Sequence, residues 1–187
     1  MIRNWALFLC VLSFSSCGLM IARLAGSYKT PRVESYETIR AYFDEMNPAS
    51  AGLYVLEKES CLDSLLQVFG RLPSALVFNA DSQMVYRESM ENCSWKSFSE
   101  IEKENFKTQS IPDQSETQFC NILNCTLEIE SADSALDYDY HLLLPWAKYL
   151  PAQAKGAFEL AKNVQEHSSN RFKIYLINFD ELEEWEN

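Results

Sequence analysis

Helix-like and strand-like patterns alternate along most of this 187-residue chain. The clearest helical pattern runs from Pro151 to His167, where Ala154, Phe158 and Ala161 share one face. Together the patterns predict helices at Glu34–Met46, Leu62–Phe69, Trp95–Phe106 and Pro151–His167, and strands at Gly52–Leu56, Ser74–Asn79, Met84–Arg87, Thr126–Glu130, Asp139–Leu144 and Phe172–Phe179. Strands that alternate with helices favour a layered α/β domain with a mixed central sheet.

Two polar stretches lie outside this alternation of helices and strands, one within the domain and one after its last strand. Residues 107–118 are polar and contain Pro112, which predicts a surface loop. Residues 180–186 are mostly acidic, which predicts a solvated C-terminal tail. Within that tail we expect Trp185 to dock either on the body of the domain or on a partner.

An uncharged apolar run precedes the domain. Arg3 lies in a short basic start, Trp5 to Ala22 carries no charge, and Arg23 closes the run. A basic start followed by an apolar stretch is typical of a secretory signal, and a run of this length is at the short end of what spans a bilayer. We therefore expect residues 1–26 to be a signal peptide, a lipoprotein signal or a membrane anchor, and residues 27–187 to form one α/β domain.

Three forms of export remain open. Phe14-Ser15-Ser16-Cys17 resembles a bacterial lipoprotein box, in which Cys17 is the lipidated residue, although Phe14 stands where Leu is usual. Retention of the apolar run as a membrane anchor is the second form. Lipidation or anchoring tethers the protein in the cell envelope or periplasm, whereas simple cleavage near Gly18 gives a secreted protein. All three expose the domain to an oxidising compartment.

The acidic composition narrows the classes of partner. Lys and Arg number 16 against 27 Asp and Glu, for a formal net charge of −11. This excess of acidic residues argues against nucleic acid as a binding partner, because phosphate binding depends on Lys and Arg. The chain has only five Gly, the residue that phosphate-binding loops need, and only two His, a common metal ligand, so we expect no cofactor and no metal. His141, in a predicted strand, is expected to pack or hydrogen-bond, and the expected partners are an envelope protein and, through the N-terminal segment, the membrane.

Cysteines support the expectation of export. Four cysteines follow the N-terminal segment, namely Cys61, Cys93, Cys120 and Cys125. An even number permits two disulfides in three connectivities. Cys120 and Cys125 have neither the dithiol spacing of a CxxC motif nor the paired spacing of a zinc site. A local Cys120–Cys125 bridge and longer links to Cys61 or Cys93 all remain open.

The stretch from Phe69 to Asp81 resembles the second half of a thioredoxin-like domain. In that family a Gly-x-x-Pro-Thr stretch enters a buried strand and then a hairpin, and here Pro73 matches the proline while Ser74 stands where Thr is common. The family's proline is cis and lines the substrate groove. The resemblance therefore implies that Pro73 lines a binding groove.

The stretch from Leu142 to Pro151 is similar to another part of the same family, the strand that enters a Trp-Ala-x-x-Cys-x-x-Cys helix. Trp146 matches the tryptophan, which implies a place in the binding groove, but Leu150 and Gln153 occupy the two cysteine positions. The two halves occur in reversed order, which implies a permuted arrangement or two partial domains. The resemblance covers about half the chain and implies a thioredoxin-like three-layer sandwich without the dithiol.

A second alignment of the chain with the thioredoxin-like pattern leaves a redox role for Cys61 open. If Gly52–Leu56 is the first strand, Cys61 becomes a single thiol before its helix, where the helix N-terminus and Lys58 lower its pKa. A single thiol attacks disulfides but does not complete a dithiol cycle by itself. The sequence thus predicts a redox-inactive binding or scaffolding protein of the envelope, or alternatively a thiol-disulfide factor with Cys61 as its catalytic residue.

Overall fold

The computed structural model describes residues 32–46, 50–70, 72, 74–87, 101, 116–131 and 137–186. Several sequence predictions lie outside these residues: the export segment with Cys17, the groove proline Pro73, the disulfide candidate Cys93, and all of the predicted helix at 95–106 except Ile101. Among the helices within the described ranges, none combines the length and apolarity needed to cross a bilayer.

The described elements follow the predicted alternation. Along the chain they are α1 (Tyr36–Met46), β1 (Gly52–Leu56), α2 (Glu59–Phe69), β2 (Leu76–Asn79), β3 (Met84–Arg87), α3 (Glu116–Leu123), β4 (Thr126–Glu130), β5 (Tyr140–Trp146), α4 (Pro151–His167) and β6 (Phe172–Asn178). A short 3₁₀ turn at Glu183–Glu186 follows. Proline fits the first turn of α4, because its missing N–H is one that the helix leaves unpaired in any case.

The six strands form one mixed sheet in the order β3-β2-β5-β6-β1-β4. The three central strands β5, β6 and β1 are parallel, and α4 provides the crossover from β5 to β6. Strands β2, β3 and β4 each run antiparallel to their neighbours. The sequence prediction of an α/β domain with a mixed central sheet is confirmed at this level.

Helices cover both faces of the sheet. Helices α1 and α4 pack on one face, with Ile39 and Phe158 among the buried contacts. Helices α2 and α3 pack on the other, with Phe69 and Ile122 among theirs. Because β1 and β6 are buried on both faces, their sequences are apolar at almost every position instead of alternating.

Helix α3 was not predicted from the sequence. It begins at Glu116, so the predicted loop at 107–118 is wrong for its last three residues. Phe119, Ile122 and Leu123 have the spacing that places one apolar face of a helix on the sheet. Since α3 has only eight residues and follows a polar stretch with a proline, its periodicity is too short to stand out.

The acidic C-terminal segment is attached to the body rather than solvated throughout. Leu182 is buried and forms a β-bridge with Glu34. The indole Nε1 of Trp185 donates a hydrogen bond of 3.0 Å to the carbonyl oxygen of Leu56, the last residue of β1. Of the two expected docking places for Trp185, the structure shows the body of the domain.

One disulfide is present among the described residues. It joins Cys61, in the first turn of α2, to Cys125, directly before β4, with the two Cα atoms 5.5 Å apart. This confirms the expectation of a disulfide and selects one of the open pairings. Because Cys125 is bonded to Cys61, the local Cys120–Cys125 bridge does not form, and Cys120 is a free, exposed thiol.

Candidate functional site at the carboxyl edge of the parallel strands

The three parallel strands end at one edge of the sheet. Trp146 ends β5, and its register partner Asn178 ends β6, which in turn pairs with β1 near Leu56. In open α/β sheets, ligands bind outside the carboxyl ends of the strands. We call this region the carboxyl edge, and the segments that follow β5 and β6 carry its polar groups.

Asp180 is the buried carboxylate of the carboxyl edge, with 2% of its surface exposed. Its Oδ2 accepts hydrogen bonds of 2.7 Å from the backbone N–H of Lys148 and 2.7 Å from Nδ2 of Asn178. Its own N–H donates to Oδ1 of Asn178 at 3.1 Å. These bonds join the segment after β6 to the segment after β5 and hold both in place.

Burial dominates the electrostatics of Asp180. It raises the pKa of the carboxyl group, and the nearby charge of Glu34 acts in the same direction. Hydrogen bonds from the backbone N–H groups of Lys148 and Tyr149 and from Asn178 lower the pKa but do not cancel the effect of burial. Asp180 therefore holds a proton at a higher pH than an exposed aspartate does.

An ion pair between Lys148 and Glu34 lies in the same region. The ammonium group of Lys148 donates to Oε2 of Glu34, and Oγ1 of Thr38 donates to the same oxygen at 2.7 Å. Burial raises the pKa of Glu34, but these hydrogen bonds and the charge of Lys148 outweigh it, so the pKa is lowered. The segment before α1 is thereby tied to the segment after β5.

Trp146 belongs to the core at this edge. Only 1% of its surface is exposed. Its rings stack on Tyr42 with centroids 5.4 Å apart and meet Phe158 edge-on at 5.1 Å. Its Nε1 is buried without an acceptor among the described residues. The indole thus lies beneath the carboxyl edge, where it supports α1 and α4.

The outward surface of the carboxyl edge combines charged side chains, among them Glu57, Lys58 and Glu181, with apolar and aromatic ones. Val33, beside the Glu34–Lys148 pair, is 41% exposed, and Tyr149 and Leu150 are partly exposed. Leu150 is the N-cap of α4 and makes no side-chain cap bond.

The start of α4 carries no thiol, since Leu150 is its N-cap and Gln153 lies in its first turn. Cys61 lies elsewhere, in the first turn of α2, with 2% of its surface exposed. Its N–H donates to the carbonyl oxygen of Lys58 at 3.0 Å, and its sulfur is bonded to Cys125. A free thiolate at Cys61 requires reduction of that disulfide first.

Sequence reasoning missed the polar residues that organise this edge, above all Asp180. The sequence does contain one indication of them, which is that Asn178 and Asp180 lie at the end of the apolar run that forms β6. Polar residues at the carboxyl end of a predicted parallel strand are candidates for a site. The acidic residues that follow directed attention to a solvated tail instead.

A second titratable group lies on the face covered by α2 and α3. Nδ1 of His141 is 3.0 Å from the hydroxyl oxygen of Tyr175, and the ring of Phe119 lies 4.9 Å from the imidazole. Burial lowers the pKa of His141, and the charge of Lys173 adds to this effect. The imidazole is packed and hydrogen-bonded, as a residue in a sheet interior is.

Comparison of the chain with protein-family models, with curated proteins and with solved structures gave no match.

Proposed function

We propose that this chain is an exported, membrane-tethered protein of the cell envelope whose thioredoxin-like domain is redox-inactive and binds or scaffolds another envelope protein. The observation that carries the proposal is the start of α4. Leu150 and Gln153 stand where a thioredoxin-like enzyme needs two thiols.

The strand arrangement supports the thioredoxin-like part of the proposal. The unit β5-α4-β6 has parallel strands, and the antiparallel hairpin of β2 and β3 lies beside β5. A thioredoxin-like domain combines the same two units, with the hairpin second in the chain. Here the hairpin comes first, in keeping with the permuted order that the resemblance implies.

The disulfide supports the exported part. Disulfides persist in oxidising compartments and are rare in the reducing cytosol. The Cys61–Cys125 bond links residues 64 positions apart, so it constrains a large part of the chain. The proposed tether is the apolar run at residues 5–22. It holds the domain at a membrane whose anionic lipids do not attract the acidic protein surface.

The exposed groups of the carboxyl edge support the binding role. Val33 presents an apolar side chain next to the rigid Glu34–Lys148 pair, and Leu150 and Tyr149 extend the same surface. Since both charges are held in place, a partner meets a preorganised surface and loses less conformational freedom on binding.

Site-directed photo-crosslinking tests this role with a matched control. Val33 and Leu127 are large apolar residues of nearly equal exposure, 41% and 42%, but Leu127 lies on the outermost strand β4, which β6 and β1 separate from the end of β5 where Lys148 pairs with Glu34. We expect a photoreactive residue at position 33, in cells that make the protein, to give a discrete crosslinked product that position 127 does not give. Equal products at both positions, or none at position 33, contradict the proposal.

Intact mass of the protein recovered from those cells tests export separately. A lipidated, membrane-bound form beginning at Cys17, or an uncleaved form in the membrane fraction, agrees with tethering. A full-length form in the soluble cytosol contradicts it.

A second candidate function is a thiol-disulfide factor that uses Cys61. The observation in its favour is the position of Cys61 in the first turn of α2, since a helix N-terminus stabilises a thiolate. Because Cys61 is buried and bonded to Cys125, this function requires a reductant that opens the disulfide. Peptide mapping that finds Cys61 quantitatively disulfide-bonded in cells excludes this candidate.

A further inference from the structure

Strand β6 ends at a topological switch point of the sheet. The strands on either side of it are β5 and β1, and the helices that follow them, α4 and α2, pack on opposite faces. In open α/β sheets, ligands bind at such a point, in the crevice outside the carboxyl ends of the strands. In this protein a segment of the same chain lies at that place.

The segment consists of residues 181–185, which follow β6, and we call it the strap. The carbonyl oxygen of Glu181 accepts a hydrogen bond of 2.8 Å from the N–H of Glu34, and the N–H of Glu183 donates to the carbonyl oxygen of Glu34 at 2.9 Å. Leu182, between them, has 1% of its surface exposed. The strap therefore lies beside Glu34 as an extended peptide lies beside the edge of a sheet.

Two side chains anchor the end of the strap. The indole group of Trp185 packs against the buried side chains of both faces of the sheet, and its Nε1 donates to the carbonyl oxygen of Leu56 at 3.0 Å, so it covers the end of β1. Oε1 of Glu184 accepts a hydrogen bond of 3.0 Å from the N–H of Tyr36, the first residue of α1. Tryptophan is enriched among the residues that dominate binding energy, and a carboxylate is favourable at the N-terminus of a helix. These contacts show which groups the crevice accepts.

Two features weaken the attachment of the strap. Oε2 of Glu184 is buried and accepts no hydrogen bond from the described residues, which costs free energy. Glu181, Glu183 and Glu184 place three carboxylates within four residues, and their charges repel one another. A segment of another protein that carries the same anchors and fewer acidic residues therefore competes with the strap for the crevice.

We propose that the strap is an autoinhibitory contact, which fills the crevice in the free protein and is displaced by an extended segment of the partner protein. That segment carries an apolar residue, a carboxylate two residues later and a tryptophan directly after the carboxylate. The inference names the partner of the carboxyl edge and rests on the binding role in the proposed function. While the strap is in place, the apparent affinity for the partner is reduced to the fraction of molecules whose crevice is open.

A peptide titration of the purified protein tests the crevice. The probe is fluorescently labelled Gln-Leu-Gln-Glu-Trp-Gln-amide, and fluorescence anisotropy measures its binding. Trp185→Ala removes the main anchor of the strap, so we expect this variant to bind the probe at least about tenfold more tightly than the wild type does. Leu127→Ala, which removes an exposed apolar side chain from β4, is expected to bind it as weakly as the wild type. Circular dichroism checks that both variants are folded.

Three results of the titration overturn the proposal. They are that the probe binds neither the wild type nor Trp185→Ala, that it binds both equally, or that a probe with alanine in place of tryptophan binds as tightly. A wild type that native mass spectrometry finds to be a dimer, while Trp185→Ala is a monomer, also overturns it, because the crevice then takes the strap of a second copy.

Hydrogen exchange followed by NMR tests the opening of the strap without any substitution. The N–H groups of Glu34 and Glu183 bond across the contact between the strap and the body. We expect them to exchange at least about tenfold faster than the N–H groups that join β5 to β6, because the strap opens without unfolding the sheet. Equally slow exchange overturns the proposal. Both measurements use purified protein, so their outcome is separate from the photo-crosslinking at position 33 that tests the proposed function.

Discussion

At the scale of single residues, Asp180 holds the carboxyl edge together. Asp180→Ala leaves the N–H of Lys148 and the amide of Asn178 without their acceptor. We expect the free energy of unfolding to fall by about 1–3 kcal/mol, the usual cost of unpaired buried polar groups. Urea denaturation measures this loss. The exposed control Glu159→Ala, which breaks only a surface ion pair, is expected to change stability by less than about 0.5 kcal/mol, and an equal effect of both variants contradicts the role of Asp180.

His141 and Asp180 give opposite dependences of stability on pH. The pKa of His141 is lowered in the folded state, so the unfolded chain binds the proton first, and stability falls as the pH drops from the ordinary histidine value of 6.5 towards the folded value. The pKa of Asp180 is raised, so the folded chain binds the proton first. Its contribution is present at low pH and is lost as the pH rises through the folded pKa.

Urea denaturation between pH 5 and 7 tests the histidine. We expect stability to decline less steeply towards pH 5 in His141→Gln than in the wild type, whereas His167→Gln serves as the control for removal of a histidine. If the free energy of unfolding changes with pH in the same way for the wild type and His141→Gln, the burial of the imidazole does not cause the expected loss of stability towards pH 5.

At the scale of elements, the C-terminal 3₁₀ turn stabilises the end of β1. Trp185→Phe keeps an aromatic ring but removes the hydrogen bond to the carbonyl oxygen of Leu56. We expect a loss of about 1 kcal/mol in the free energy of unfolding, measured by urea denaturation. An unchanged midpoint is inconsistent with a docked segment and favours the solvated tail that the sequence suggests.

The disulfide is the strongest single link between elements. Replacing both cysteines, Cys61→Ala with Cys125→Ala, releases a closed loop of 64 residues and is expected to lower the free energy of unfolding by about 4 kcal/mol. Cys120→Ala is the control, because that thiol is free and exposed. If the double variant and the control have similar stability in denaturant, the bond does not constrain the chain.

Most elements were predictable because their signals are local. Helix α4 has a proline start and apolar spacing over seventeen residues, and its predicted bounds match the structure. Strand β4 was also predicted with its observed bounds. Helix α3 was missed because its eight residues carry too few apolar positions to show a period.

At the scale of the whole molecule, the unpredictable features are those set by contacts between distant residues. The position of β4 beside β1 and the pairing of Cys61 with Cys125 depend on where α2 and α3 pack. Local patterns do not encode that choice, so the sequence left three disulfide connectivities open. The carboxyl edge was missed for the same reason, because Glu34, Lys148 and Asp180 meet only in the folded chain.

Under the proposed function, the domain binds another protein and carries out no redox chemistry of its own. The most direct measurement is the rate at which purified protein accelerates reduction of a model protein disulfide by dithiothreitol, with wild type and Cys61→Ser compared at equal concentration. We predict that both proceed at the rate found without protein. A marked acceleration by the wild type that Cys61→Ser abolishes contradicts the account.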